Sequence, residues 1–293
     1  MSAVVWFDGV IRPAGEPILA ADDHGVTVGD GAFETLVVKN RTAFALTRHL
    51  VRLQYSLDRL GMAAIDMDQV RAGVDEVISA RPEDVSRIRI TVISGPGPMS
   101  SVRGDSGPRV LIWGGPASVP ATCIAVRAPW KRNERSAIAG VKSTSYAENV
   151  VMAMYAQERG ANEALMSNTF GYLCEGTGSN VLIERDGYIL TPPLSSGCLA
   201  GITRGLALEW GARAGIPIRV AAVGELPMTV LDEVLAGGAF AAVTSSTRGV
   251  QHIVNLDGTD VKQGPLITAL AELYDAKASA DPDPAPPRQR DQV

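Results

Sequence analysis

Cysteine and histidine are scarce in this chain, with three of each among 293 residues. Cys123, Cys174 and Cys198 are odd in number and far apart. That excludes the disulfide framework of a secreted scaffold and suits a reduced cytoplasm. His24, His49 and His252 have no metal-ligand spacing, so no metal site is expected. A run of about 18 consecutive apolar residues is missing, so no membrane span is expected. The N-terminus, MSAVVWFDGV, lacks the basic and apolar regions of a signal peptide. Positive charge is not in excess either: 27 basic residues face 32 acidic ones, for a net charge of −5. Phosphate backbones need a basic surface, so nucleic acid is not an expected partner. No nucleophile-elbow or Walker sequence occurs. Gly29-Asp30-Gly31 and Gly95-Pro96-Gly97 lack the remaining glycine of a dinucleotide fingerprint.

What is present is an ordinary globular balance, 46% apolar and 20% charged. At roughly 150 residues per domain, two domains or one large one are expected. Residues 4–7 and 10–11 flank Asp8-Gly9, a hairpin signal because both turn positions favour positive φ. Residues 34–38 and 43–46 flank Asn40-Arg41 as a second hairpin. Leu46, Leu50, Leu53, Leu57 and Leu60 form one apolar helix stripe that Gly61 ends. Arg48, Arg52 and Arg59 lie opposite that stripe and read as a solvated face. Residues 66–80 form a second helix, and the alternation over 87–92 predicts a half-buried strand. The segment 114–120, GGPASVP, has linker composition. It divides a small N-terminal α/β domain, 1–115, from a larger one, 121–275. Residues 276–293 are rich in Asp, Pro and Ala and are expected to be a disordered tail.

Four segments bear chemistry, each beside a plainer reading. Lys142, in Gly140-Val141-Lys142-Ser143, reads first as a solvated lysine; in a partly desolvated pocket it would be an imine-forming amine. Glu175, in Glu175-Gly176-Thr177-Gly178-Ser179-Asn180, sits in what reads as a turn. Its glycines would equally let a ligand approach a carboxylate suited to a pyridine nitrogen. Leu199-Ala200-Gly201-Ile202-Thr203-Arg204 opens a helix over 203–214, where Thr203 is a cap or a phosphate donor. Thr244-Ser245-Ser246 ends an apolar run as a polar turn or as a second donor set. Arg52 on the first helix is a candidate for a phosphate.

In this order the segments resemble the class IV aminotransferases, the fold-type IV enzymes that use pyridoxal phosphate. The resemblance starts at Gly29-Asp30-Gly31-Ala32-Phe33-Glu34-Thr35 and continues through His49-Leu50-Val51-Arg52-Leu53 and Lys142. It covers the four segments above and the chain to about residue 275. It implies an α+β or α/β fold of two domains with the cofactor in the cleft between them. It matches Lys142 to the Schiff-base lysine and Glu175 to the partner of the pyridine nitrogen. Arg52, Ile202, Thr203 and Ser246 match the phosphate set, and Ser179, Asn180, Gly201 and Ser245 are further cofactor-binding candidates. Tyr146 matches a family tyrosine that stands one residue farther from the lysine.

The resemblance also implies a homodimer acting on a small-molecule amine in the cytoplasm. Two reactions are open. One is 4-amino-4-deoxychorismate lyase, yielding p-aminobenzoate and pyruvate for folate synthesis. The other is an aminotransferase for D-amino or branched-chain amino acids with a 2-oxo acid acceptor. D-amino acid transaminases bind the substrate carboxylate with a tyrosine and an Arg-x-His pair. Here Phe33, Met99 and Ser101 stand at those places, which favours the lyase. Arg103 and Arg248 are the candidate substitutes for a carboxylate.

Overall fold

The computed structural model describes residues 3–286. The chain divides into two compact units. The first comprises residues 3–118, Val141–Tyr146 and residues 281–286; the second comprises Val119–Gly140 and Ala147–Ala280.

The first unit is an antiparallel sheet with helices. Its elements are β1 (Val4–Phe7), β2 (Val10–Pro13), α1 (His24–Thr27), β3 (Gly31–Lys39), β4 (Thr42–Ala43), α2 (Leu46–Leu60), α3 (Met67–Ala80), β5 (Arg87–Ile93) and β6 (Arg109–Gly115). The six strands are ordered β2-β1-β6-β5-β3-β4. The Asp-Gly hairpin forms as expected: Phe7 pairs Val10, with Asp8 at φ 44° and Gly9 at φ 95°. Alternation along β5 sends Ile88, Ile90 and Val92 to the face that packs with the leucines of α2 and with Val70, Val74 and Val77 of α3. The opposite face carries Arg89 and Thr91. Register aligns these with Thr35 and Phe33 of β3, and aligns Arg89 with Trp113 of β6.

The leucine stripe lies inside, and Gly61 ends α2 in the left-handed region. The arginine stripe is not solvated as a whole. Arg48 and Arg52 are buried because each finds partners that replace water. The second expected strand of the 40–41 hairpin also stops early. Ala45 is left-handed, φ 56°, and turns the chain into α2 at Leu46.

Residues 142–144 run beside the start of β3. Phe33 N–H donates to Lys142 O at 2.9 Å, and Thr144 N–H donates to Gly31 O at 2.8 Å. Gly31 is required here, since a Cβ would stand 2.4 Å from Val92 O.

The second unit is built on nine strands: β7 (Cys123–Arg132), β8 (Glu163–Asn168), β9 (Leu173–Gly176), β10 (Asn180–Arg185), β11 (Tyr188–Thr191), β12 (Ile218–Val220), β13 (Phe240–Ser245), β14 (Gly249–Leu256) and β15 (Thr259–Asp260). Their order is β12-β11-β10-β13-β14-β7-β8-β9, with β15 on β14. Helices α4 (Ala147–Gln157), α5 (Ile202–Arg213), α6 (Val230–Leu235) and α7 (Pro265–Ala280) complete it. Its strands β8, β9, β10 and β13 are buried on both faces, as in Val181-Leu182-Ile183 and Ala241-Ala242-Val243.

Two boundaries differ from the sequence expectation. Gly114 and Gly115 finish β6 instead of opening a linker, because they pair with Ile88 and Arg87. The expected tail is ordered where described. Residues 276–280 finish α7, and 281–286 bind the start of α2. Ala45 N–H donates to Pro282 O at 2.8 Å, and Thr47 donates from its N–H and its hydroxyl to the Asp283 carboxylate. A helix start lacking its own capping side chain thus obtains one from 236 residues away. The rest of the expected tail lies outside the described residues.

Candidate functional site

In the first unit, Lys142 packs against an aromatic surface. Its Nζ stands 4.3 Å from the centre of the Phe33 ring and 5.7 Å from that of Tyr146. The Tyr146 ring meets Phe33 edge-on, with centroids 5.1 Å apart. Arg89 lies over the same Phe33 ring at 3.7 Å. No carboxylate among the described residues lies within ion-pair distance of Arg89; its Nε donates only to the Thr91 hydroxyl, at 3.3 Å. Burial pushes the Arg89 guanidinium below its ordinary value, and the nearby Tyr146 opposes this. A half-buried guanidinium without a counter-ion suits an incoming anion.

Sequence reasoning missed Arg89. The alternation of Arg87-Ile88-Arg89-Ile90 was legible, but it did not say that the polar face would carry the lysine.

Behind this surface lies a charge cluster. Glu34 is fully buried and accepts from His49 Nδ1 at 2.6 Å and from Arg52 Nε and Nη2 at 2.8 and 2.7 Å. Burial alone would raise the Glu34 pKa, but Arg52 and His49 outweigh it and hold the carboxyl at about 2. Burial holds His49 below its ordinary value; Glu34 opposes this, and the charges of Arg52 and Lys142 reinforce it. His49 is therefore neutral, with Nδ1–H donating. Arg52, expected at a phosphate, spends two donors on Glu34. Arg103, expected at a substrate carboxylate, is forked onto Asp30 at 2.6 and 2.7 Å and donates to Gly61 O.

The second unit gathers the other predicted residues. Glu175, on β9, accepts from Leu199 N–H at 2.9 Å and pairs with Arg132 at 3.4 Å. Asn180 donates from Nδ2 to Leu199 O at 2.8 Å and pairs with Thr244 across β10 and β13. A Cβ on Gly201 would fall 1.9 Å from Asn180 Oδ1, so only glycine fits at the entry to α5. Gly201 gives α5 no side-chain cap. The N–H groups of Ile202, Thr203 and Arg204 precede the first intrahelical bond, from Gly205 N–H to Gly201 O. Thr203 is buried and its hydroxyl accepts from Tyr274 at 3.4 Å, leaving its own hydrogen to donate.

Thr244 Oγ1 is buried with no hydrogen-bond partner among the described residues. Ser245 accepts from Arg248 N–H at the turn that Ser246 continues. Ser179 and Arg248 point their donors elsewhere. The Ser179 hydroxyl donates to Glu163 at 2.7 Å, and the Arg248 guanidinium donates to Asn162.

These features suit a phosphorylated ring. An uncapped helix start and an orphaned hydroxyl accommodate a phosphate. A carboxylate in the same unit accommodates a protonated ring nitrogen. Among the described residues no group of acids, histidines and cysteines could hold a metal ion, and no helix is long and apolar enough to cross a membrane.

The model of the amino-transferase class IV family matches residues 31–256, more than half of the chain. A bifunctional aminodeoxychorismate lyase / D-amino acid transaminase of Mycobacterium tuberculosis is 29% identical, over 95% of this chain and 99% of that protein. A hypothetical aminotransferase of the same organism, solved in its pyridoxal-phosphate-bound form, superposes with a TM-score of 0.80 at 26% identity, over 93% of this chain and 98% of that one. The Escherichia coli branched-chain amino acid aminotransferase superposes at 0.84 over 93% of each chain, and at 20% identity it shows the fold.

The chain belongs to the class IV aminotransferase family. It is therefore a pyridoxal-phosphate-dependent enzyme of fold-type IV.

Proposed function

We propose that this enzyme is a 4-amino-4-deoxychorismate lyase, releasing p-aminobenzoate and pyruvate for folate synthesis. One observation supports the substrate class: an amine, Lys142, and a guanidinium without a counter-ion, Arg89, stand against one flat ring, Phe33. The substrate is a cyclic amine bearing carboxylates, so the amine side and the anionic side each have a partner there. Lys142 would hold the cofactor through its amine, and the same amine would move the proton at the reacting carbon. Glu175 holds a proton at the ring nitrogen. The α5 start with Thr203 and the Thr244 to Ser246 hydroxyls would hold the phosphate, whereas Arg52 is engaged by Glu34. When bound, pyridoxal phosphate supplies an electron-withdrawing ring that accepts the electron pair left by bond cleavage. Arg89 receives a substrate carboxylate; Arg103 and Arg248, given to Asp30 and Asn162, do not. With this reading goes a homodimer acting on a small-molecule amine in the cytoplasm.

The second reading is an aminotransferase for D-amino or branched-chain amino acids. The 29% identity to a protein named for both activities favours D-amino acids within it. The deciding assay supplies 4-amino-4-deoxychorismate with no 2-oxo acid. Release of p-aminobenzoate and pyruvate is expected. Silence there, with D-alanine or leucine converting 2-oxoglutarate to glutamate, would replace the first reading by the second. Arg89→Ala should lower kcat/KM by about 10²-fold, in keeping with a few kcal/mol for a desolvated carboxylate contact.

A further inference from the structure

Arg204 is the third residue of α5, and it is buried. Its partners are neutral: Nε donates to the Thr191 hydroxyl at 3.1 Å and Nη2 to Pro192 O at 2.9 Å. No carboxylate among the described residues lies within 4.0 Å of it. The acid of the cluster, Glu175, is held instead by Leu199 and Arg132. An arginine stays charged in a protein, so this is a buried positive charge without a negative one. Its place makes the cost greater. The start of a helix is its positive end and disfavours a cation, and burial pushes the Arg204 guanidinium below its ordinary value. Two neutral acceptors satisfy hydrogen bonds but do not neutralise a charge.

We propose that Arg204 is the standing counter-charge for the phosphate dianion received at the start of α5, acting through the field rather than by contact. This rests on the reading that α5 receives the cofactor phosphate. The neighbouring groups suit such a balance. Thr203 and Gly201 crowd the same helix start, and Thr244 Oγ1 is left for a further acceptor. In a weakly polarisable interior a dianion several ångströms away still interacts strongly with a guanidinium. The apo-protein keeps an unbalanced charge, and the phosphorylated cofactor removes the imbalance. Arg204 is therefore a positioning residue in the electrostatic sense: it selects a phosphorylated ring over an unphosphorylated one.

The test compares pyridoxal phosphate with pyridoxal, whose aldehyde and ring are the same. The affinity of apo-protein for each is titrated by absorbance in the wild type, Arg204→Lys and Arg204→Met. The expected result is a loss of tenfold or more in pyridoxal phosphate affinity in Arg204→Met, with pyridoxal changed less than twofold. Arg204→Lys, which keeps the charge and alters the hydrogen bonds, should stay within about threefold of the wild type for both. Melting of the apo-proteins should show Arg204→Met no less stable than Arg204→Lys. Equal losses for the two ligands in Arg204→Met would make the role structural and overturn the proposal. So would a lysine variant as impaired as the methionine one. Where Met does not fold, Arg204→Gln gives the same comparison. A wild type that binds the two ligands alike would instead overturn the phosphate reading of α5.

Discussion

The two units handle charge in opposite ways. The first pairs its buried ions with one another: Glu34 with Arg52 and His49, and Asp30 with Arg103. Against that self-neutralised interior it leaves Arg89 on the face that also holds Lys142. The second offers dipoles: an uncapped helix start, hydroxyls of Thr203, Thr244 and Ser245, and a buried Arg204 with neutral partners. A closed ion network fixes geometry and has little left for a ligand, whereas an open array of donors is stable only in anticipation of an anion. The first unit is therefore suited to positioning an amine and an anionic substrate, and the second to retaining a phosphorylated ring.

The largest expected effect tests that division at Lys142. Lys142→Ala should abolish turnover and the visible absorbance of the bound cofactor, a loss beyond 10³-fold. On the proposed reading the α5 start and the Thr244 to Ser246 hydroxyls, all in the second unit, receive the phosphate, so the variant should still retain cofactor without a covalent link. Retained turnover in this variant would remove the lysine from the mechanism, and loss of all cofactor binding would show that retention does not rest on the second unit.

The next effect sharpens the account of the paired interior. Glu34→Gln leaves Arg52 buried against a neutral amide and should cost about 3–5 kcal/mol of stability, read by denaturant melts. The pH dependence has a definite sign. The folded Glu34 carboxyl titrates at about 2, against 4.5 ordinarily. Its contribution is intact above 4.5 and is lost as pH falls toward 2. His49 is also held below its ordinary 6.5. The unfolded chain therefore takes that proton first, and stability already declines as pH drops through 6.5. Glu34→Gln should flatten the decline below pH 4.5. An unchanged acid limb in the variant would mean that this carboxylate is not the ionised centre of the cluster.

The smallest effect concerns the start of α2, the helix that brings His49 and Arg52 to Glu34. Asp283→Ala removes the acceptor for Thr47 N–H and for its hydroxyl. It should cost about 1 kcal/mol, as loss of a helix cap does. Hydrogen exchange in the first turn of α2 should quicken. No change in either measurement would reduce the segment after α7 to a surface contact.

Much of this was legible locally. The Asp-Gly turn at 8–9, the leucine stripe of α2 and the glycine at 61 are decided by neighbours in the chain, and each forms where the sequence puts it. The cap on α2 was not legible, because Asp283 lies 236 residues from Thr47. A Pro- and Asp-rich run reads as unstructured until its carboxylate has a helix start to bind. Arg89 was missed for a related reason: alternation gives two faces to a strand and does not say which one the lysine joins.

By itself the sequence determined periodicity, turn chemistry and the order of the family's motifs, all short-range properties of neighbouring side chains. Only the tertiary structure decided which charges are spent and which remain. Arg52 and Arg103 turned out to be engaged by Glu34 and Asp30, while Arg89 and Arg204 have no carboxylate partner among the described residues. The physical reason is that an ion's partner and its burial are set by segments distant in the chain, and a charge acquires its chemical meaning from what surrounds it.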